Sequence, residues 1–166
     1  MTGEGLACRG TFLRSRTFPK ASSRTVTATH AIVHVDGGAR GNPGPAAAAC
    51  VITSQTGELL GEHTQLLGTT TNNVAEYRAL LLGLERAREL GASEVEVIGD
   101  SELIAQQVLG RYKVRNEALR PLHREAMEAL GEFDRWSIRT VPRELNAHAD
   151  ALVNSALDQA RAAGAG

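Results

Sequence analysis

Four acidic residues stand where a fold usually places an apolar or capping residue. Asp36 closes the run AIVHVD, Asp100 closes EVEVIGD, Glu76 follows TNNVA, and Asp150 lies within NAHADALVN. Carboxylates gathered at strand ends and helix faces repel one another unless a cation neutralises them. Taken singly, each has a plainer alternative. Asp36 could cap a hairpin turn, Glu76 could pack its stem while its head reaches water, Asp100 could cap the helix that follows, and Asp150 could be a surface acid. As a set they point to a divalent-metal enzyme, because a carboxylate beside an apolar stripe is costly without a partner.

The elements that must position them follow from periodicity. AIVHV, AAAACVITS and ELLGEHTQLLG alternate as strands, with GGARGNPGP and QTGE supplying turn chemistry between them, so the chain opens as a three-strand antiparallel meander in which Asp36 ends the first strand. Over about 72–90 the apolar residues Tyr77, Leu80, Leu81 and Leu84 recur at helical spacing, with Arg78, Glu85 and Glu89 on the solvated side, and Gly91 is placed to stop the helix. EVEVIG reads as a strand and SELIAQQVLG as a short helix. NEALRPLHREAMEALG reads as another helix, with Pro121 in its first turns or kinking it; RWSIRTV is the fifth strand, and 146–162 the last helix. This order predicts an α/β fold: one five-stranded mixed sheet, three strands antiparallel and two added in parallel, with helices on both faces.

The chain has 166 residues, enough for one domain that needs no disulfide or structural metal. Cys8 and Cys50 lie far apart and outside any Cys/His pattern, which removes a zinc site and favours a reducing cytoplasm. No stretch approaches the length of a membrane span. A net charge of −1 hides an asymmetry: residues 1–30 carry five Lys or Arg and one acid, leaving 31–166 with 13 basic and 18 acidic residues. Such a body is no general polyanion binder, so nucleic-acid binding would have to come from local groups, bound metal or the tail. Residues 1–30, rich in Ser, Thr, Arg and Gly, read as a disordered extension, with an organellar presequence or an early start codon as alternatives. Residues 31–160 form the domain, and 161–166 a flexible tail or the start of a linker. The glycine-rich turn is not a Lys-containing phosphate loop, since no GK[ST] follows.

DGGARGNPGPAAAA, TNNVAEYRALLLGL, VIGDSELIAQQVLGRYKVRN and VPRELNAHADALVNSA resemble, in order and spacing, the successive motifs of type 1 ribonuclease H, and cover nearly all of 31–160. The resemblance implies hydrolysis of the RNA strand of RNA–DNA hybrids to 5′-phosphate and 3′-hydroxyl ends. It implies Asp36, Glu76, Asp100 and Asp150 as catalytic metal ligands for two Mg²⁺ ions, with Mn²⁺ as a substitute. Rigidly held carboxylates suit such a site, where the ions activate water and stabilise the leaving oxygen.

Hybrid selectivity requires groups that sense the 2′-hydroxyl. Asn42, Asn72 and Asn73 are similar to family positions lining the minor groove, Thr71 to one that holds a DNA-strand phosphate, and Gly37 and Arg143 to substrate-side positions; Asn42 could equally be a turn residue and Asn72 a helix N-cap. Lys113, with Arg111 and Arg115 around Tyr112, suits a phosphate backbone or a solvated loop. The short stretch between the two middle helices resembles that of members without the long basic insertion. The mobile loop histidine of well-known bacterial members has no counterpart before Asp150, where Arg143 or Glu144 could fill the space. His148, two residues away on a helix, would point away from Asp150. The expected partner is a hybrid duplex bound by a monomer with no obligatory protein partner. Rival readings are a nuclease of the same fold that also cuts double-stranded RNA, and a silent hybrid-binding module.

Overall fold

The computed structural model describes residues 29–165. Strands β1 (His30–Ala39), β2 (Gly44–Ser54) and β3 (Leu59–Thr70) are followed by helix α1 (Asn72–Glu89), strand β4 (Glu94–Gly99) and helices α2 (Glu102–Val108) and α3 (Arg120–Leu130). Strand β5 (Arg135–Thr140), a 3-10 turn (Arg143–Asn146) and helix α4 (Ala147–Ala165) complete the chain. The sheet order is β3-β2-β1-β4-β5. The first three strands pair antiparallel, and β4 and β5 add in parallel, as the sequence predicts.

Period-two alternation divides the sheet residues between two helical layers. Val33, Val35, Ala48, Cys50, Ile52, Val95 and Val97 face α1 and α3, building a core with Tyr77, Leu80, Leu84, Leu122 and Leu130. Ala47 and Ala49, the alternate members of the alanine run, face α4 and meet Val153 and Leu157. Short side chains are needed throughout 46–49 because this central strand is covered on both sides, and all four alanines are buried. Leu81 is only half-buried, at the margin of the α1 face.

Three boundaries differ from expectation. The last helix, α4, continues through Ala165, so 161–165 extend the helix where the sequence reads as a flexible tail or linker start. Asp36 does not end its strand: β1 continues through Gly37 and Gly38, which pair with Ala48 and Ala47, and only Gly41 in the following turn takes a positive φ, of 95°. Both glycines read as turn residues, but both lie in the strand, and Gly37 serves close packing. A Cβ on Gly37 would lie 2.1 Å from the Ala75 carbonyl oxygen, so β1 and α1 touch backbone to backbone. Helix α3 begins only at Arg120, because the Asn116 Oδ1 accepts from the Ala118 N–H and holds the preceding residues in a turn. Pro121 lies in its first turn, where the missing N–H costs nothing.

Candidate active site

Asp36 points to the α4 side of β1, beside its partner Ala49. Glu76 arrives from the first turns of α1, and its carboxylate accepts from the Gly37 N–H. Asp100 follows β4 directly. Ser101, not Asp100, caps α2, its hydroxyl accepting from the Ile104 N–H at 3.3 Å, so the Asp100 carboxylate is not committed to the helix. Ligand atoms of Asp36, Glu76 and Asp100 all lie within 4.8 Å of one another. Asp150, in the first turn of α4, reaches the Asp36 carboxylate from the other side and shares a hydrogen bond with it.

The electrostatics show what the cluster lacks. Burial, reinforced by the charges of Asp100 and Asp150, pushes Asp36 up to about 7. Burial and then the charges of Asp36 and Asp100 push Glu76 up to about 9. Asp100 is also raised, chiefly by burial, against the opposing pull of Arg143. Oδ2 of Asp100 is buried with no hydrogen-bond partner, as is Oδ1 of the neighbouring Asn146. A hard cation with oxygen ligands would answer all of these at once, which is the donor set Mg²⁺ or Mn²⁺ takes.

An open cleft of about 400 Å³ lies over the cluster, lined by Asp36, Glu76, Asp150, Arg143, Asn72 and Arg40 among others. Arg143 is 73% exposed at its mouth, with Nε 4.0 Å from Asp100 and Nη1 3.6 Å from Asp150; Glu144 is exposed. His148 turns to β3, where Nε2 lies 2.5 Å from Glu62. Thr71 is the N-cap of α1, its hydroxyl accepting from the Val74 N–H. Asn72 is therefore not the cap: its Oδ1 accepts from the Ala39 N–H at 2.8 Å, while its own N–H donates to Asn42 Oδ1 at 3.0 Å. These bonds tie the 40–43 turn to the start of α1. Asn73 is half-buried beside them, and Lys113 is exposed on the α2–α3 connection, outside the cleft lining. Gly37 is buried under Glu76.

Sequence reasoning did not single out Asn146, which is 2% exposed and donates through Nδ2 to the Val35 carbonyl at 2.8 Å, bracing the strand that carries Asp36 beside Asp100. Nor did it single out Arg40 and Asn154. A signal was present: Asn146, Asp150 and Asn154 recur every four residues, a spacing that places them on one helical face.

A family model described as "Reverse transcriptase-like" matches residues 34–156. Ribonuclease HI of Halobacterium salinarum is 45% identical over 127 residues, covering 76% of this chain and 64% of that protein. Its RNase H1 crystal structure covers 78% of this chain and 98% of the solved one, at 43% identity and a TM-score of 0.77. The bifunctional protein Rv2228c of Mycobacterium tuberculosis is 44% identical over 130 residues, 78% of this chain but 36% of its own length. A crystal structure of LC11-RNase H1 in complex with an RNA/DNA hybrid matches at 44% identity, covering 78% of this chain and 98% of that one, with a TM-score of 0.75. The chain thus spans about a third of the mycobacterial relative and under two thirds of the halobacterial one. With its strand order, its helical layers and these likenesses taken together, the chain belongs to the type 1 ribonuclease H family.

Proposed function

We propose that this protein is an endoribonuclease that hydrolyses the RNA strand of RNA–DNA hybrids, leaving 5′-phosphate and 3′-hydroxyl ends. Asp36, Glu76, Asp100 and Asp150 are the residues that would hold two Mg²⁺ ions, with Mn²⁺ as a substitute. The observation carrying this reading is the convergence of three carboxylates within 4.8 Å, one with a buried and unpartnered oxygen, under an open cleft. The hybrid held by LC11-RNase H1, 44% identical to this chain, supports the substrate class.

The divalent ions supply, when bound, an acidified water and charge stabilisation for an in-line displacement at phosphorus. The chain's own residues do the positioning. The Gly37 N–H holds Glu76, and Asn146 braces the Asp36 strand beside Asp100. Arg143, at the mouth, offers a guanidinium to a phosphate oxygen next to the cluster. Asn42 and Asn72 each spend the side-chain oxygen on a backbone N–H, which leaves the NH₂ end as a donor to a 2′-hydroxyl. Asn73 adds an amide to the same rim. The Thr71 hydroxyl accepts from the helix and so keeps its proton for a DNA-strand phosphate. Gly37 sets the floor of the substrate channel, and Lys113 adds a phosphate contact farther along the duplex. The domain is taken as 31–160, monomeric and acting in a reducing cytoplasm. The buried Cys50 thiol fits that compartment, and no helix among the described residues is long and apolar enough to cross a membrane.

The test is cleavage of a labelled hybrid beside single-stranded RNA, RNA duplex and DNA duplex, with Mg²⁺, Mn²⁺ or EDTA. Metal-dependent cutting of only the hybrid's RNA strand is expected. Cutting of RNA duplex would broaden the substrate, and binding without cutting would make the domain a silent module. Asp100→Asn should abolish turnover while hybrid binding persists; unchanged turnover would remove the metal role assigned to the cluster.

A further inference from the structure

Asn146, Asp150, Asn154 and Asp158 form a single polar stripe along the 3-10 turn and α4, each four residues from the last. Its lower half meets a residue from the far side of the cleft. Arg40 lies in the turn between β1 and β2, 114 positions earlier than Asn154. Its Nη1 is 2.8 Å from Asp158 Oδ1, and its Nη2 donates at 3.3 Å both to the Asn154 carbonyl and to Asn154 Oδ1. Asn154 Nδ2 in turn donates to Asp150, at 3.1 Å to the carbonyl oxygen and at 3.4 Å to Oδ2 of the carboxylate.

The chemistry of these groups allows one arrangement of the amide. A guanidinium only donates, so the Asn154 end facing Arg40 must be the oxygen. The NH₂ end is then directed at Asp150. The turn carrying Arg40 is itself fixed to α1 by Asn72 and Asn42. A chain of directional bonds therefore runs from the helix that carries Glu76 to the carboxylate of Asp150.

We infer that Arg40 and Asn154 are positioning residues: the Arg40 fork orients the Asn154 amide, and that amide sets the Asp150 carboxylate toward the other acids. This rests on the metal-dependent hybrid cleavage proposed above. Without the amide, Asp150 sits on a helix whose buried apolar seat is Val153 and Leu157 against two alanines, and its carboxylate keeps only the Asp36 carboxylate and the exposed Arg143, 3.6 Å away, to orient it. The role is separable from charge. Arg40→Lys keeps a cation opposite Asp158 but cannot serve two partners at fixed angles.

The test combines metal dependence with a spectroscopic reading of the amide. Asn154→Ala should raise the Mg²⁺ concentration for half-maximal hybrid cleavage about tenfold, the scale for partners that orient metal ligands. Arg40→Ala and Arg40→Lys should do the same in kind, and the double variant R40A/N154A should be no worse than N154A, since both act through one bond chain. In the metal-free protein, the Asn154 side-chain amide signals, identified by their loss in N154A, should shift and exchange faster with water in R40K. Additive losses in the double variant, an unmoved Mg²⁺ midpoint in N154A, or unmoved amide signals in R40K would overturn the relay. Failure of the unsubstituted protein to cleave the hybrid with any metal would instead sink the proposed activity, and the amide signals would still judge the geometry. Should R40A not fold, R40K carries the comparison.

Discussion

The two faces of the sheet hold their acids in different ways. On the α1 side, 21 buried residues, drawn from three strands, three helices and the segments beside α3, form one continuous core, and the strands and helix that carry Asp36, Glu76 and Asp100 are built into it, although the Asp36 side chain itself turns to the α4 side. On the α4 side the buried cluster has four members, two of them alanines, and the helix that brings Asp150 is held as much by polar ties: Arg40 to Asp158 and Asn154, and His148 to Glu62. The three ligand atoms within 4.8 Å all come from the first group, and Asp150 is not among them. A large core fixes the elements that carry the first three carboxylates, whereas a helix seated on alanines leans on polar ties to hold its place.

Substitutions that probe each side should separate the two regimes. The largest effect is expected of Gly37→Ala. Its Cβ would fall 2.1 Å from a backbone oxygen of α1, so strand and helix must part, costing about 3 kcal/mol or more in denaturant unfolding and abolishing cleavage. Next, Leu84→Ala on the α1 face should cost about 3–5 kcal/mol and Leu157→Ala on the α4 face nearer about 2 kcal/mol, because the small cluster can collapse around the loss. Equal costs in chemical denaturation would erase the contrast.

A pH scan in EDTA reads the acids directly. Asp36 and Glu76 are raised above their unfolded values, so the folded state holds more protons and stability falls as pH climbs from about 4 through about 7 and on to about 9. Melting temperatures that rise over that window would contradict the repulsion inferred for the cluster, and added Mn²⁺ should flatten the fall. The smallest effect belongs to His148→Ala, which removes an exposed pair with Glu62: under about 1 kcal/mol of stability, with cleavage within about threefold. A hundredfold loss of turnover would instead give that histidine a place in the chemistry.

The fold was legible because periodicity changes cleanly along the chain: alternation through 31–68, helical spacing from Tyr77 to Leu84, then short β and α runs between Gly and Pro signals. The geometry of the site was legible only in part. That Asp36 and Asp100 would stand near strand ends follows from the motif, but the strand runs on past Asp36, and Gly37, which looks like part of a turn, is there to admit a helix backbone. Capping by Thr71 and Ser101 depends on where each helix starts to within one residue, which local patterning does not resolve. Arg40, Asn146 and Asn154 act through partners more than a hundred positions away, and no local propensity encodes such a pairing.

The contact at Gly37 separates two kinds of inheritance in this chain. Where main chain rests on main chain, the interval between Asp36 and Glu76 is a property of the scaffold, indifferent to which apolar residues fill the layer around it. Lineages can therefore exchange Leu80, Leu84 or Val33 for other hydrophobes, with volume made up elsewhere, and the two acids keep their separation. Drift in the core is uncoupled from the ruler that spaces the acids, and that ruler is a hydrogen atom where any other residue would carry a carbon.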